Sequence, residues 1–321
     1  MKSDLRGLGE HHSLIEQLSK GGELYSITEK LKNEKEYWMG IRNNKVMIYY
    51  MGGKILEISS SGLLGFDPKY IAHYDNKIKI GKRFANAEDW LSKEKLLKSA
   101  IHSYQTNYNK NEKIAQQEII LENNNSQNSE WYFVDMEYSV PGISYGRFDM
   151  IAISKRQDEL GKYKIMLVEL KTGTNAFGGA GEDTYGSGIA GHINNFYKFL
   201  YGESGKQNIL RLAKEITTIM ANYDALGLNN AGLNFALEDI DVAPENVKCV
   251  ILCTGIKEKE KAQTQASKYI FNFKGASKWS LEKKWGNSFE ERINKLNVDL
   301  SIVDKERVID TTKFEKIGTL R

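Results

Sequence analysis

Lys164-Ile165-Met166-Leu167-Val168-Glu169-Leu170-Lys171 is the stretch on which the fold turns. Alternation along a strand sets Ile165, Leu167, Glu169 and Lys171 on one face and Met166, Val168 and Leu170 on the other. Both faces are apolar through Val168, the pattern of a central strand covered on both sides. A carboxylate and an ammonium then follow on one face, roughly 7 Å apart by strand geometry. An acid at the end of a buried strand requires a counter-charge or a metal.

The preceding segment, Gly146-Arg147-Phe148-Asp149-Met150-Ile151-Ala152-Ile153, has the same form, with Asp149 on the face of Ile151 and Ile153. The connection from Lys155 to Tyr163 is polar and holds Gly161, so the two strands are expected to pair antiparallel. With Ser154 facing Lys164, Asp149 faces Glu169 across the ladder. Two carboxylates about 4 Å apart repel by roughly 4 kcal/mol at an effective dielectric of about 20. One stays protonated unless a cation bridges them. A hard divalent ion such as Mg²⁺ meets that need with oxygen ligands, and it can polarise a phosphoryl oxygen. Lys171 is placed to orient a water or to offset charge developing on a phosphate.

Outward from this pair the pattern changes repeatedly. Leu91, Leu96, Leu97, Ala100, Ile101 and Tyr104, then Ile114, Glu118 and Leu121, recur at helical spacing between about residues 90 and 123. Trp131 to Val140 reads as a strand. After Lys171 comes a glycine-rich loop, Gly173 to Gly191, without the Lys-Ser/Thr that a phosphate-cradling P-loop needs; a gate over a site and a plain surface loop both suit it. Helices over 189–201 and 206–224, an apolar strand from Val247 to Cys253 and the run Tyr269-Ile270-Phe271-Asn272-Phe273 complete the series. The fold class expected is α/β, a mixed central sheet flanked by helices. Residues 1–92 form a smaller module, an opening helix and a β-hairpin turning at Gly52-Gly53 between Val46–Met51 and Lys54–Ile58. Its tyrosines are read as β core ahead of a stacking surface or a contact for a partner protein. Asp67-Pro68 and Asp75-Asn76 mark turns. The segments expected are therefore 1–92, 93–275 and a C-terminal extension, 276–321.

Composition sets bounds on function without naming one. A chain of 321 residues with 40% hydrophobic and 27% charged residues can bury a core, which excludes disorder as the explanation. No apolar run approaches the roughly 20 residues of a membrane span, and Met1-Lys2-Ser3-Asp4-Leu5 lacks the apolar block of a secretory signal. Cys249 and Cys253 share a strand face too far apart to bond, so they read as reduced core residues. A soluble, cytoplasmic protein with no membrane partner is expected. The formal charge of +3 permits a polyanionic partner without requiring one. His11-His12 has no metal-ligand spacing to a partner and receives no role.

Asp149 followed by Glu169-Leu170-Lys171 at the end of the next strand resembles the PD-(D/E)XK nuclease superfamily, and the helix-strand-strand-strand-helix-strand order resembles that family's core. Phe148 stands where the family carries proline. The resemblance covers roughly residues 93–275. It implies a metal-dependent nuclease in which Asp149 and Glu169 hold catalytic Mg²⁺, with Mn²⁺ able to substitute, and Lys171 assists hydrolysis. It also implies that Glu118, on the helix before the strands, is a metal or metal-water ligand. His192 and Asn195, at the start of the helix after the loop, resemble residues with which some members contact substrate. The partner implied is nucleic acid, DNA ahead of RNA, and restriction-like relatives often dimerise. The alternative is a nuclease-fold binding or scaffold subunit that does not cut.

Overall fold

The computed structural model describes residues 6–9, 12–75, 77, 80–173, 177, 188–256, 260, 263–264, 294–296, 298–302 and 307–316. The strand expected at 269–273 and most of the glycine-rich loop, 174–176 and 178–187, lie outside the described residues. The architecture is mixed α/β with two sheets, and the chain falls into two compact units: 1–127 with 214–237, and 128–213 with 238–321. Among the described residues no helix is long and apolar enough to cross a membrane.

In the first unit, α1 (Ser13–Leu18) and α2 (Tyr25–Asn33) precede β1 (Tyr37–Arg42), β2 (Lys45–Tyr50), β3 (Gly53–Ile58) and β4 (Leu64–Gly65). Then come α3 (Lys69–Tyr74), β5 (Arg83–Phe84), α4 (Ala87–Asn107) and α5 (Asn111–Asn125). The five strands form an antiparallel meander in sequence order. Each tight turn is set by residues that accept positive φ. Asn43 (φ 51°) and Asn44 (φ 56°) join β1 to β2. The second hairpin turns one residue earlier than the sequence suggested, on Met51 (φ 48°) and Gly52 (φ 72°), while Gly53 pairs with Tyr50 inside the ladder. Packing explains the two glycines. A Cβ on Gly52 would lie 2.4 Å from the Lys113 carbonyl oxygen, and one on Gly53 would lie 2.6 Å from Ile101 Cγ2. Asp67 and Asp75 each accept the N–H two residues on, the Asx turns expected there.

The hairpin tyrosines serve the core. Tyr37, Trp38 and Tyr49 are buried, and the Trp38 and Tyr49 rings lie 5.3 Å apart. Gln117 ties α5 to this sheet: its Oε1 accepts the Gly52 N–H at 2.6 Å, and its Nε2 donates to the carbonyls of Glu36 (2.8 Å) and Tyr49 (3.1 Å).

The second unit holds β6 (Trp131–Ser139), β7 (Arg147–Ser154), β8 (Ile165–Thr172), α6 (Ile189–Tyr201), the start of α7 (Gly205–Ala225), β9 (Lys248–Thr254), β10 (Asp299–Ile302) and β11 (Glu315–Lys316). The sheet order is β11-β10-β9-β8-β7-β6. β6, β7 and β8 run antiparallel, whereas β8, β9 and β10 are parallel. β8 is thus central, and Ile165 through Val168 are fully buried, as expected of a strand covered on both faces. The C-terminal segment is no appendage to this sheet, since it supplies β10 and β11. Buried Asp299 on β10 is paired with Lys248 (2.8 Å) and Lys316 (3.1 Å). Cys249 and Cys253 are free and buried in β9, and burial pushes the Cys253 thiol up to about 12. At such values the thiols stay protonated and unreactive.

Candidate active site

The β7–β8 ladder carries Ile153 opposite Ile165 and Met150 opposite Val168. Its start is fixed by Ser154, whose N–H donates to the Lys164 carbonyl and whose Oγ accepts the Lys164 N–H, both at 2.9 Å. One step beyond Met150 and Val168 this register sets Asp149 opposite Glu169. There the ladder gives way to a side chain: Asp149 Oδ2 accepts the Leu170 N–H at 2.7 Å.

Glu169 and Lys171 are 4% and 6% exposed, so their charges must be matched inside the protein. Lys171 Nζ lies 2.7 Å from Glu169 Oε1, and His192 Nε2 approaches the same oxygen at 2.9 Å. Lys171 Nζ is 3.3 Å from His192 Nε2. A protonated Nε2 donates to the carboxylate, and a bare Nε2 accepts from the ammonium. Burial alone would push the Glu169 carboxyl up, but His192 and Lys171 more than offset it and hold the group below the ordinary carboxylate range. The charge conflict reasoned from the sequence is therefore relieved by a lysine, a histidine and a backbone N–H. Both contacts fall on Oε1. Among the described residues no donor reaches Oε2.

Phe148, in the position where the resembled family carries proline, fixes the helix above the site. Its ring stacks on Phe196 (5.5 Å) and meets the Phe199 ring edge-on (4.9 Å), both from α6. That packing holds the first turn of α6, and with it His192, over the end of β8. Asp149, Glu169 and His192 open onto a cleft of about 310 Å³ whose wall also includes Glu137, Ser139 and Arg147. Arg147 is exposed and has no acid partner among the described residues. Glu137, on β6, adopts φ 55°, a left-handed conformation that costs a non-glycine residue about 1–2 kcal/mol. Sequence reasoning overlooked both. The only available signal was Arg147 at a strand start two residues before the acid; nothing announced the kink at Glu137.

Other residues singled out from the sequence fall elsewhere. Asn195 is half-buried on α6 and is not part of the cleft wall. Glu118 is half-buried on α5, in the first unit. Its neighbour Gln117 is the fully buried member of that pair. His12 caps α1 through Nδ1, which accepts the Leu14 N–H at 3.2 Å.

Asp149, Glu169 and His192 do not close to within 4.8 Å as a trio; among the described residues Glu34, Glu36 and Glu94 alone do. Lysines already occupy that second cluster. Glu94 meets Lys98 at 2.6 Å and Lys30 at 2.9 Å and accepts the Tyr37 hydroxyl, while Lys98 also contacts Glu34 and Glu36. Burial raises the Glu94 carboxyl, yet its bonds from Lys98, Tyr37 and Lys30 prevail and lower it. A carboxyl lowered by folding stabilises fully above its unfolded value of about 4.3 and loses that contribution as pH falls below it. The Tm difference between wild type and Glu94→Gln is therefore expected to be widest above about pH 5 and to shrink toward about pH 3. Thermal melts across that range test it, and a pH-independent gap would remove the ionic explanation.

No family model, curated protein or solved structure matches this chain.

Proposed function

We propose that the chain is a metal-dependent nuclease hydrolysing phosphodiester bonds, with DNA as its preferred substrate. One observation carries the reading: Asp149 and Glu169, at matching positions on neighbouring strands, open onto one cleft, and buried Lys171 stands on Glu169. Two carboxylates at one cleft are the hard oxygen donors that a small divalent ion requires, so the residues fit Mg²⁺ or Mn²⁺. Asp149 and Glu169 would hold the ion, which when bound supplies a Lewis acid for the phosphoryl oxygen. Lys171 places a fixed positive charge where the phosphate gains negative charge. Exposed Arg147 is suited to a non-bridging phosphate oxygen through paired N–H donors. His192 acts through Glu169, holding its carboxylate in orientation. Asn195 remains a candidate substrate contact on α6, and Glu118 a candidate further ligand.

A second reading, a binding or scaffold subunit that does not cut, is favoured by one feature. Glu169 already carries the Lys171 ammonium and the His192 ring on one oxygen, so its charge is matched without a metal.

Supercoiled, linear and single-stranded DNA, and RNA, incubated with and without Mg²⁺, decide between them. Cleavage of DNA is expected only with the cation, and Asp149→Asn is expected to abolish it; Glu118→Gln is expected to weaken it across a Mg²⁺ titration. Nucleic-acid binding with no cleavage under any cation would establish the scaffold.

A further inference from the structure

The first unit carries its own concavity, about 320 Å³, lined by residues of β2 to β5 of the five-stranded sheet. Lys45 from β2, Lys54 from β3, and Lys82 and Arg83 at β5 frame it, with one acid, Glu57, among them. Lys45 bonds Glu57 at 2.8 Å and Lys54 bonds its other oxygen, so two ammoniums are held in place by a single carboxylate. Lys82 and Arg83 are exposed and have no acid partner among the described residues. Four cations against one carboxylate leave the concavity with three surplus positive charges.

The sequence marks the same place. From Asn76 to Ala87 the chain carries Lys77, Lys79, Lys82 and Arg83 and no acid. The spread of the cations selects the kind of anion. β2 and β5 are three strand steps apart, roughly 14 Å at about 4.8 Å per step. One small phosphate cannot meet cations across that width, but a polymer of phosphates can. Gly65 on the wall adds no side chain, and the exposed Ser59 and Ser61 hydroxyls lie nearby, 2.9 Å from each other. No Asn or Gln, the side chains suited to paired bonds with adenine, lines the concavity.

We propose that this basic concavity is a sequence-independent docking surface for the sugar-phosphate backbone of nucleic acid. The choice of ligand rests on the nuclease reading; the surface itself is built wholly from the first unit.

The test is fluorescence anisotropy of two labelled DNA oligonucleotides of unrelated sequence, bound by the full chain in EDTA over a salt series. The double variant Lys82→Gln, Arg83→Gln is expected to weaken both sequences equally, by about tenfold near 0.1 M salt, and to reduce the slope of log K against log salt by about 2. Its melting curve should match wild type, because both side chains are exposed. Unchanged affinity and slope would overturn the proposal and leave these cations as protection for an edge strand. Displacement of wild type from DNA by inorganic phosphate at constant ionic strength would also overturn it, in favour of a small-anion pocket. Cleavage in Mg²⁺ is scored separately. Docking that depends on Lys82 and Arg83 in a protein that never cuts defeats the nuclease reading alone. Cleavage with docking indifferent to both residues defeats this proposal alone.

Discussion

Lys171→Met is expected to fold with the second unit intact and to cut DNA about 10² to 10³ times more slowly than wild type at saturating Mg²⁺. Methionine keeps most of the lysine stem, so packing between β8 and its neighbours persists. The ammonium is lost from Glu169 Oε1, on a carboxylate that lines the cleft. Glu169 then keeps His192, and its carboxyl should rise toward the ordinary range as the Lys171 ammonium that helps to lower it disappears. Catalytic and structural roles separate in the kinetics. A lost catalytic charge lowers kcat with Mg²⁺ affinity retained, whereas a lost strut lowers the melting temperature and leaves kcat per folded molecule unchanged. Lys171→Arg adds a control, since it restores the charge with altered geometry and should recover part of the rate. Wild-type turnover by Lys171→Met would strip the proposed site of its lysine and favour the scaffold reading.

The largest effect on stability is expected at Gln117. Replacement by leucine keeps the volume and removes three hydrogen bonds, to the Gly52 N–H and the carbonyls of Glu36 and Tyr49. Each backbone group left unpaired in the interior costs about 1–3 kcal/mol, so Gln117→Leu should lose about 4 kcal/mol in all. Gln117→Glu should fare no better, because a carboxylate would replace a donor facing two carbonyl oxygens. Urea denaturation measures both. A loss below about 1 kcal/mol would mean that water replaces the side chain at those three groups. The neighbouring exchange Glu118→Gln should barely move the same curve, which separates a structural glutamine from a proposed ligand next to it.

How much of this was legible beforehand depended on whether the signal was local. β7, β8, α6 and α7 announced themselves because their periodicities are uninterrupted and their ends are punctuated, and the register followed from the polar turn at 155–163. Three features were not legible. The hairpin turn moved from Gly52-Gly53 to Met51-Gly52 because Gly53 is a glycine for packing against Ile101, not for its φ; sequence alone does not distinguish those reasons. β10 is four residues long and β11 two, too short for period-two alternation to register, and Asp299 in the middle of this packing reads as a surface residue until Lys248 and Lys316 are seen beside it. At the proposed site, Asp149, Glu169, Lys171 and His192 were all singled out from the sequence, but the contact between His192 and Glu169 was not. His192 reaches Glu169, across 22 residues of intervening chain, because Phe148 packs on Phe196 and Phe199 of its helix, a tertiary fact without a local signature.

The parallel seam between β9 and β10 also bears on how the protein is made. β9 reads Lys248-Cys-Val-Ile-Leu-Cys-Thr, an apolar strand whose second edge, among the described residues, is covered by residues 299–302. A ribosome would release β9 about 50 residues before its cover, and for that interval the nascent chain carries an open, hydrophobic edge of the type that recruits other strands. Chains that stop before residue 299 are therefore expected to aggregate more than the full chain does.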